Sequence, residues 1–156
     1  MVEELIINLF CNDKSYYDKY YKHINLNYIK VNFVNIYKLF LVVANFYEKN
    51  NNNSISRSDL EIAYHSNYLL EDSERDELSD TITRILNHDV NIQNVTEYLN
   101  AHRKRCLSGE IAKLALDVED GSAEPHELIE KLQEFDHEKI EDDKIESVDM
   151  DLNNLY

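Results

Sequence analysis

Two glycines, Gly109 and Gly121, and one proline, Pro125, are all that 156 residues hold of the types that build tight turns. β-rich folds need many such turns, so this scarcity argues for helices joined by short polar links. The length suits one domain, or one domain with an appendage, and can bury a core without staples. Cys11 and Cys106 lie far apart, form no CxxC pair and fit a reducing cytoplasm.

The apolar residues recur at helical spacing along most of the chain. Val2, Leu5, Ile6, Leu9 and Phe10 mark one face of an opening helix. Ser15 and Asp18 then form an S-x-x-D capping pattern ahead of Tyr16, Tyr17, Tyr20, Tyr21 and Ile24. That tyrosine stripe reads as amphipathic core packing, with base stacking the sharper alternative. Phe33, Ile36, Tyr37, Phe40, Leu41, Ala44 and Tyr47, with Val34, Val42 and Val43 beside them, predict the central, most buried helix. The polar run 49–53 ends it. Ser56 with Asp59, and Ser73 with Asp76, read as caps of two further helices, through Leu60, Ala63 and Tyr64 and through Leu78, Ile82, Ile85 and Leu86.

From Asn94 the pattern lengthens. Val95, Tyr98, Leu99, His102, Cys106, Leu107, Ile111, Leu114, Ala115 and Val118 hold helical spacing without a break. The stretch 117–124, containing Gly121, is turn-like, and Pro125 suits the first turn of a helix completed by Leu128, Ile129, Leu132 and Phe135. The expected fold is therefore all-α: a globular helical bundle over 1–92, a helical hairpin over 93–136 and an acidic linker over 137–156. A long hairpin with such a stripe wants a partner surface, and a second copy burying the same face would supply one. The candidates for that self-association are Val95, Tyr98, Leu99, His102, Leu107, Ile111, Leu114, Leu128 and Leu132. Some of them must instead fasten the two helices of the hairpin together.

Charge is unevenly spread. Residues 1–116 carry 13 basic and 16 acidic side chains, a net of −3, whereas 117–156 carry 3 and 15, a net of −12. Such a tail repels phosphate, so direct DNA binding by this module is not expected. Arg103-Lys104-Arg105, the sole basic triplet, is a candidate partner contact or a solvated helix face. No run approaches the roughly 18 apolar residues of a membrane span, and the start MVEELIINLFCNDK is acidic where a signal peptide would be basic, so a cytosolic protein is expected.

No catalytic constellation emerges. A phosphate-cradling loop needs G-x-x-x-x-G-K-[ST]; Gly109 and Gly121 are too far apart and neither leads into the required Lys-Ser/Thr. Histidines 23, 65, 88, 102, 126 and 137 form no HxxxH or CxxH cluster, and the acidic runs 141–143 and 149–151 lack the glycine and terminal glutamate of a calcium loop. No cofactor, metal or catalytic residue is expected.

The segment Asn94-Val95-Thr96-Glu97-Tyr98-Leu99, followed by Arg103 to Arg105 and then Ile111-Ala112-Lys113-Leu114-Ala115, resembles the start of the helical hairpin in DnaB-type replicative helicases. The opening MVEELIINLFCNDKSYYDKYYKHINLNYI, then Ile36-Tyr37-Lys38-Leu39-Phe40 and Ser54-Ile55-Ser56-Arg57-Ser58-Asp59-Leu60, is similar to the same domain in large tailed phages. The resemblance covers about residues 1–136. The Cys106-Leu107-Ser108 stretch stands where the family often has an arginine, and the motor domain is missing.

This resemblance implies an N-terminal collar domain. Its hairpins would pair between subunits, giving homodimer pairs within a hexamer in the full-length protein. The collar would dock primase, a helicase loader or both, in the cytoplasm of a bacterial host. The acidic segment would then begin the link to an ATPase domain, and Tyr156 would be a cut rather than a natural end. The alternative is a stand-alone phage accessory protein, a helicase loader or inhibitor that shares the collar fold.

Overall fold

In the computed structural model, which describes residues 1–137, eight α-helices follow one another with no strand among the described residues. They are α1 (Val2–Asn12), α2 (Lys14–Tyr20), α3 (Leu26–Asn32), α4 (Val34–Lys49), α5 (Arg57–Asn67), α6 (Asp72–Leu86), α7 (Val95–Glu119) and α8 (Pro125–His137). All but the first residue of the expected acidic linker lies outside the described residues. The chain divides into two units, Met1–Tyr98 and the residues from Leu99 onward, so the division falls inside α7.

The first unit is organised around α1. Eight of its eleven residues are buried, because α2, α4 and α6 all pack on this one short helix. The expectation that α4 would be the most buried element is therefore corrected. Six of its sixteen residues are buried, and Val34 at its start is exposed. Leu39, Phe40 and Val43 of α4 meet the unit's core alongside Ile6, Ile7, Leu9 and Phe10, all fully enclosed. α5 contributes Leu60 and Tyr64, and α6 contributes Leu78, Ile82 and Ile85. Truncating any of the fully enclosed aliphatic side chains to alanine removes about 2–5 kcal/mol by lost transfer energy and cavity formation.

Several tyrosines complete this core. Tyr17 lies edge-on to Phe10 with ring centroids 6.0 Å apart, 4.9 Å from Tyr21 and 5.0 Å from Tyr47. The Tyr47 hydroxyl donates to the Phe10 carbonyl, so a buried phenol keeps its hydrogen bond. Burial pushes the Tyr21 phenol up to about 12. These rings are packing elements, as their helical spacing predicts.

Caps set the helix boundaries. Ser56 accepts from the Asp59 amide at 3.1 Å, as the sequence predicts. The other two caps fall elsewhere. Asp13, not Ser15, caps α2 by accepting from the Ser15 amide at 2.9 Å, and α6 is opened by a Glu71–Glu74 capping box rather than by Ser73. An acidic side chain two residues upstream takes the role in both cases. The Asn-rich run is a loop, but a pinned one. The Ile55 amide donates to the Cys11 carbonyl at 2.8 Å and the Lys14 amide donates to the Asn53 carbonyl at 2.7 Å. One bond satisfies an orphan acceptor at the end of α1, the other an orphan donor at the start of α2.

Two polar side chains inside α1 tie it to the end of α6. Asn8 Nδ2 donates to the Ile85 carbonyl at 2.8 Å, while its Oδ1 accepts from Asn12 at 2.6 Å. Glu4 accepts from Arg84 Nε at 2.9 Å and Nη2 at 3.3 Å, and His88 Nε2 lies 3.4 Å from the same carboxylate. Burial alone would raise the Glu4 carboxyl, but the hydrogen bonds from Arg84 and His88 and the Arg84 charge outweigh it and hold the group below its ordinary value. A depressed carboxylate stabilises the fold above its unfolded value, and that contribution fades as pH falls through the folded value. Because Arg84 is 56% exposed, the ion pair is screened and contributes about 1 kcal/mol. Urea denaturation should show Glu4→Gln less stable than the parent at neutral pH, with the gap closing on acidification below about pH 4. An unchanged gap would contradict the assignment.

Candidate self-association surface

The turn between α7 and α8 is built from its glycine. Gly121 has φ +87°, and the Gly121 amide donates to the Val118 carbonyl at 3.3 Å while the Ser122 amide donates to the Asp117 carbonyl at 2.8 Å. Those two bonds are the paired C-terminal closure that a left-handed residue after a helix makes possible. Ser122 also bonds Asp120 through its hydroxyl and amide, and that pair holds the Asp120 carboxyl below its ordinary value. The Glu124 amide then donates to Glu127 at 2.9 Å, and Pro125 occupies the first position of α8, where its missing N–H is harmless. The chain reverses here: Lys131 of α8 reaches Glu110 of α7 at 2.9 Å and Glu134 at 3.0 Å.

α7 does not present one continuous apolar face. Val95, Leu99, His102 and Cys106 recur at i, i+4, i+7 and i+11, and all four are buried. Leu107, Ile111, Leu114 and Val118 form a second stripe rotated from the first; Leu107 is buried and the other three are half-buried. Of the nine candidates, then, Val95, Leu99, His102 and Leu107 have little area left for a second copy. Tyr98, Ile111, Leu114 and Leu128 are half-buried, and the Tyr98 hydroxyl accepts from the Asn91 amide at 3.3 Å. Leu132 is 48% exposed. His102 and Cys106 sit on successive turns, with the sulfur 3.7 Å from Nε2.

Two exposed residues join Leu132 that were not among those candidates. Leu116 is 64% exposed and Ile129 56% exposed. Ile129 and Leu132 stand one turn apart on α8, while Leu116 lies off both stripes of α7, beside the exposed alanines 112 and 115. An apolar residue off the packing stripe, next to Asp117, is the sequence signal that points to Leu116. Of the basic triplet, Lys104 is exposed, and Arg103 and Arg105 are half-buried and engaged within the chain.

Among the described residues no histidine, cysteine or carboxylate cluster could hold a metal ion, and no helix is long and apolar enough to cross a membrane. No family model, curated protein or solved structure matches this chain.

A Cβ placed on Gly121 would meet nothing within 4 Å, so the demand there is purely conformational. Gly121→Ala should cost about 1 kcal/mol in thermal or urea unfolding, and Gly121→Asn less, since asparagine tolerates the left-handed region better. Equal stability for all three residues would show that the turn relaxes without its glycine.

Proposed function

We propose that this chain is the N-terminal collar domain of a DnaB-type replicative helicase, closest to those of large tailed phages. In this reading it pairs with other copies of itself and docks primase or a loader during DNA replication. The order of motifs from MVEELI through Asn94-Val95-Thr96-Glu97-Tyr98-Leu99 supports it, as does an all-α chain whose longest helix turns back into a shorter one. The observation that carries it is the apolar area left uncovered on that last pair of helices, at Leu116, Ile129 and Leu132.

Such area is most simply buried by the same area on a second copy, since an isologous contact needs only one self-complementary surface. Pairs of this kind would be the units from which the full-length protein builds its hexamer. The module itself would be neither an enzyme nor a cofactor carrier; ATP hydrolysis would belong to a motor domain joined through the acidic segment. Its net charge of −15 disfavours direct contact with a phosphate backbone.

The test is the solution mass of the chain by light scattering across a wide concentration range, beside an Ile129→Asp, Leu132→Asp variant. Both positions are exposed, so helicity by circular dichroism should be kept, unlike at the buried Leu107. A dimer or larger assembly is expected, weakened by at least about tenfold in the variant, or about 1.4 kcal/mol. A monomer at every concentration would favour the accessory-protein reading instead.

A further inference from the structure

In the first unit, α4, α5, α6 and the link between α5 and α6 border a cleft of about 510 Å³. Its apolar lining comes from the buried Tyr64 and Leu78 and the half-buried Leu70. Along one wall stand Glu74, Glu77 and Asp80, three residues apart on α6. Glu74 turns back toward the Glu71 amide in the capping box. Glu77 and Asp80 are exposed and form no ion pair among the described residues.

Of the two cations on the cleft, Arg84 is offset by an anion outside it, and Lys38 keeps its charge while resting on a ring. Arg84 is held by the buried Glu4, and the Lys38 ammonium lies 5.0 Å over the Tyr68 ring. Glu74, Glu77 and Asp80 outnumber Lys38, so the net charge facing the cleft is negative. Two exposed apolar residues neighbour lining residues along the chain: Val34, one turn before Lys38 on α4, and Leu69, beside Leu70.

We propose that this cleft docks a basic amphipathic segment of a partner protein. Its lysines or arginines meet Glu77 and Asp80, and its apolar side chains reach Leu70, Leu78 and the flanking Val34 and Leu69. Glu77 and Asp80 are separated by a rise of about 4.5 Å along α6, close to the spacing of side chains on successive turns of a bound helix. Complementary charge sets orientation and partner choice, while the apolar lining supplies the burial. A phosphate-bearing ligand would face repulsion from the same carboxylates. The inference stands apart from the helicase reading, since it uses only residues of the first unit.

The full chain can be titrated against a fluorescein-labelled peptide of lysine and leucine at helical spacing, followed by fluorescence anisotropy. A peptide with glutamate for each lysine is the charge control. A Glu77→Lys, Asp80→Lys variant is compared with Asp18→Lys, Glu48→Lys, which makes the same charge change at exposed positions outside the cleft. Expected are saturable binding of the lysine peptide, a loss of at least about tenfold in the cleft variant, and less than about twofold in the control variant. Amide shifts in the unaltered chain should map to Asn35, Leu70, Leu78 and Thr81. Absence of saturable binding, equal losses in both variants, or shifts confined to other surfaces would overturn the proposal.

Discussion

The first unit depends on a helix of eleven residues that is buried on nearly every side and still carries two carboxylates, Glu3 and Glu4, and the amide of Asn8 into the interior. Glu4 and Asn8 are tolerable there because α6 ends beside them, offering a guanidinium, an imidazole and two backbone carbonyls. A buried polar group without such partners would cost several kcal/mol. The arrangement works in both directions. At the last turn of α6 the Ile85 carbonyl accepts from the His88 amide at 3.3 Å, and Asn8 of α1 adds a second, shorter donor at 2.8 Å. Enclosing α1 thus fixes where α6 lies, and α4 and α2 close around the remaining faces.

With its C-terminal end anchored in this way, α6 directs Leu78, Ile82 and Ile85 inward and leaves Glu77 and Asp80 exposed, with no ion pair among the described residues. The second unit follows a different logic. Its two helices are joined by a turn that is fully hydrogen-bonded, yet the apolar residues around them outnumber the positions that packing uses. Leu116, Ile129 and Leu132 remain uncovered. Scattered exposed apolar residues need no explanation, but these three on one helical pair are the basis of the proposed association.

Much of this was legible in the sequence, and the exceptions have physical causes. The helical class, the Ser56 cap, the Asn-rich loop and the Gly121–Pro125 turn follow from local chemistry that tertiary contacts do not override. The centrality of α1 was not legible, since Glu4 and Asn8 read as surface residues until their partners some eighty positions away are known. α3 leaves no clear trace in the sequence because seven residues capped by Asn25 carry too little periodicity to stand out. Ser15 and Ser73 matched a capping pattern by spacing, but Asp13 and Glu71 start those helices earlier. The stripe from Val95 to Val118 looked continuous in sequence, although 3.6 residues per turn carry its second half to another face of the helix. That rotation separates the residues α7 buries from those it leaves half-covered.

The central claim is that α8 faces its own counterpart in a second copy. A nitroxide placed by Ile129→Cys, with Cys11 and Cys106 protected by burial, allows distances between copies to be measured by double electron–electron resonance. The account predicts a short, well-defined distance between equivalent α8 labels that disappears on dilution with unlabelled chain, and no comparable distance for a label at Asp18→Cys in the first unit. Absence of any coupling between α8 labels at concentrations where the chain is associated, or equal coupling from both positions, would contradict it.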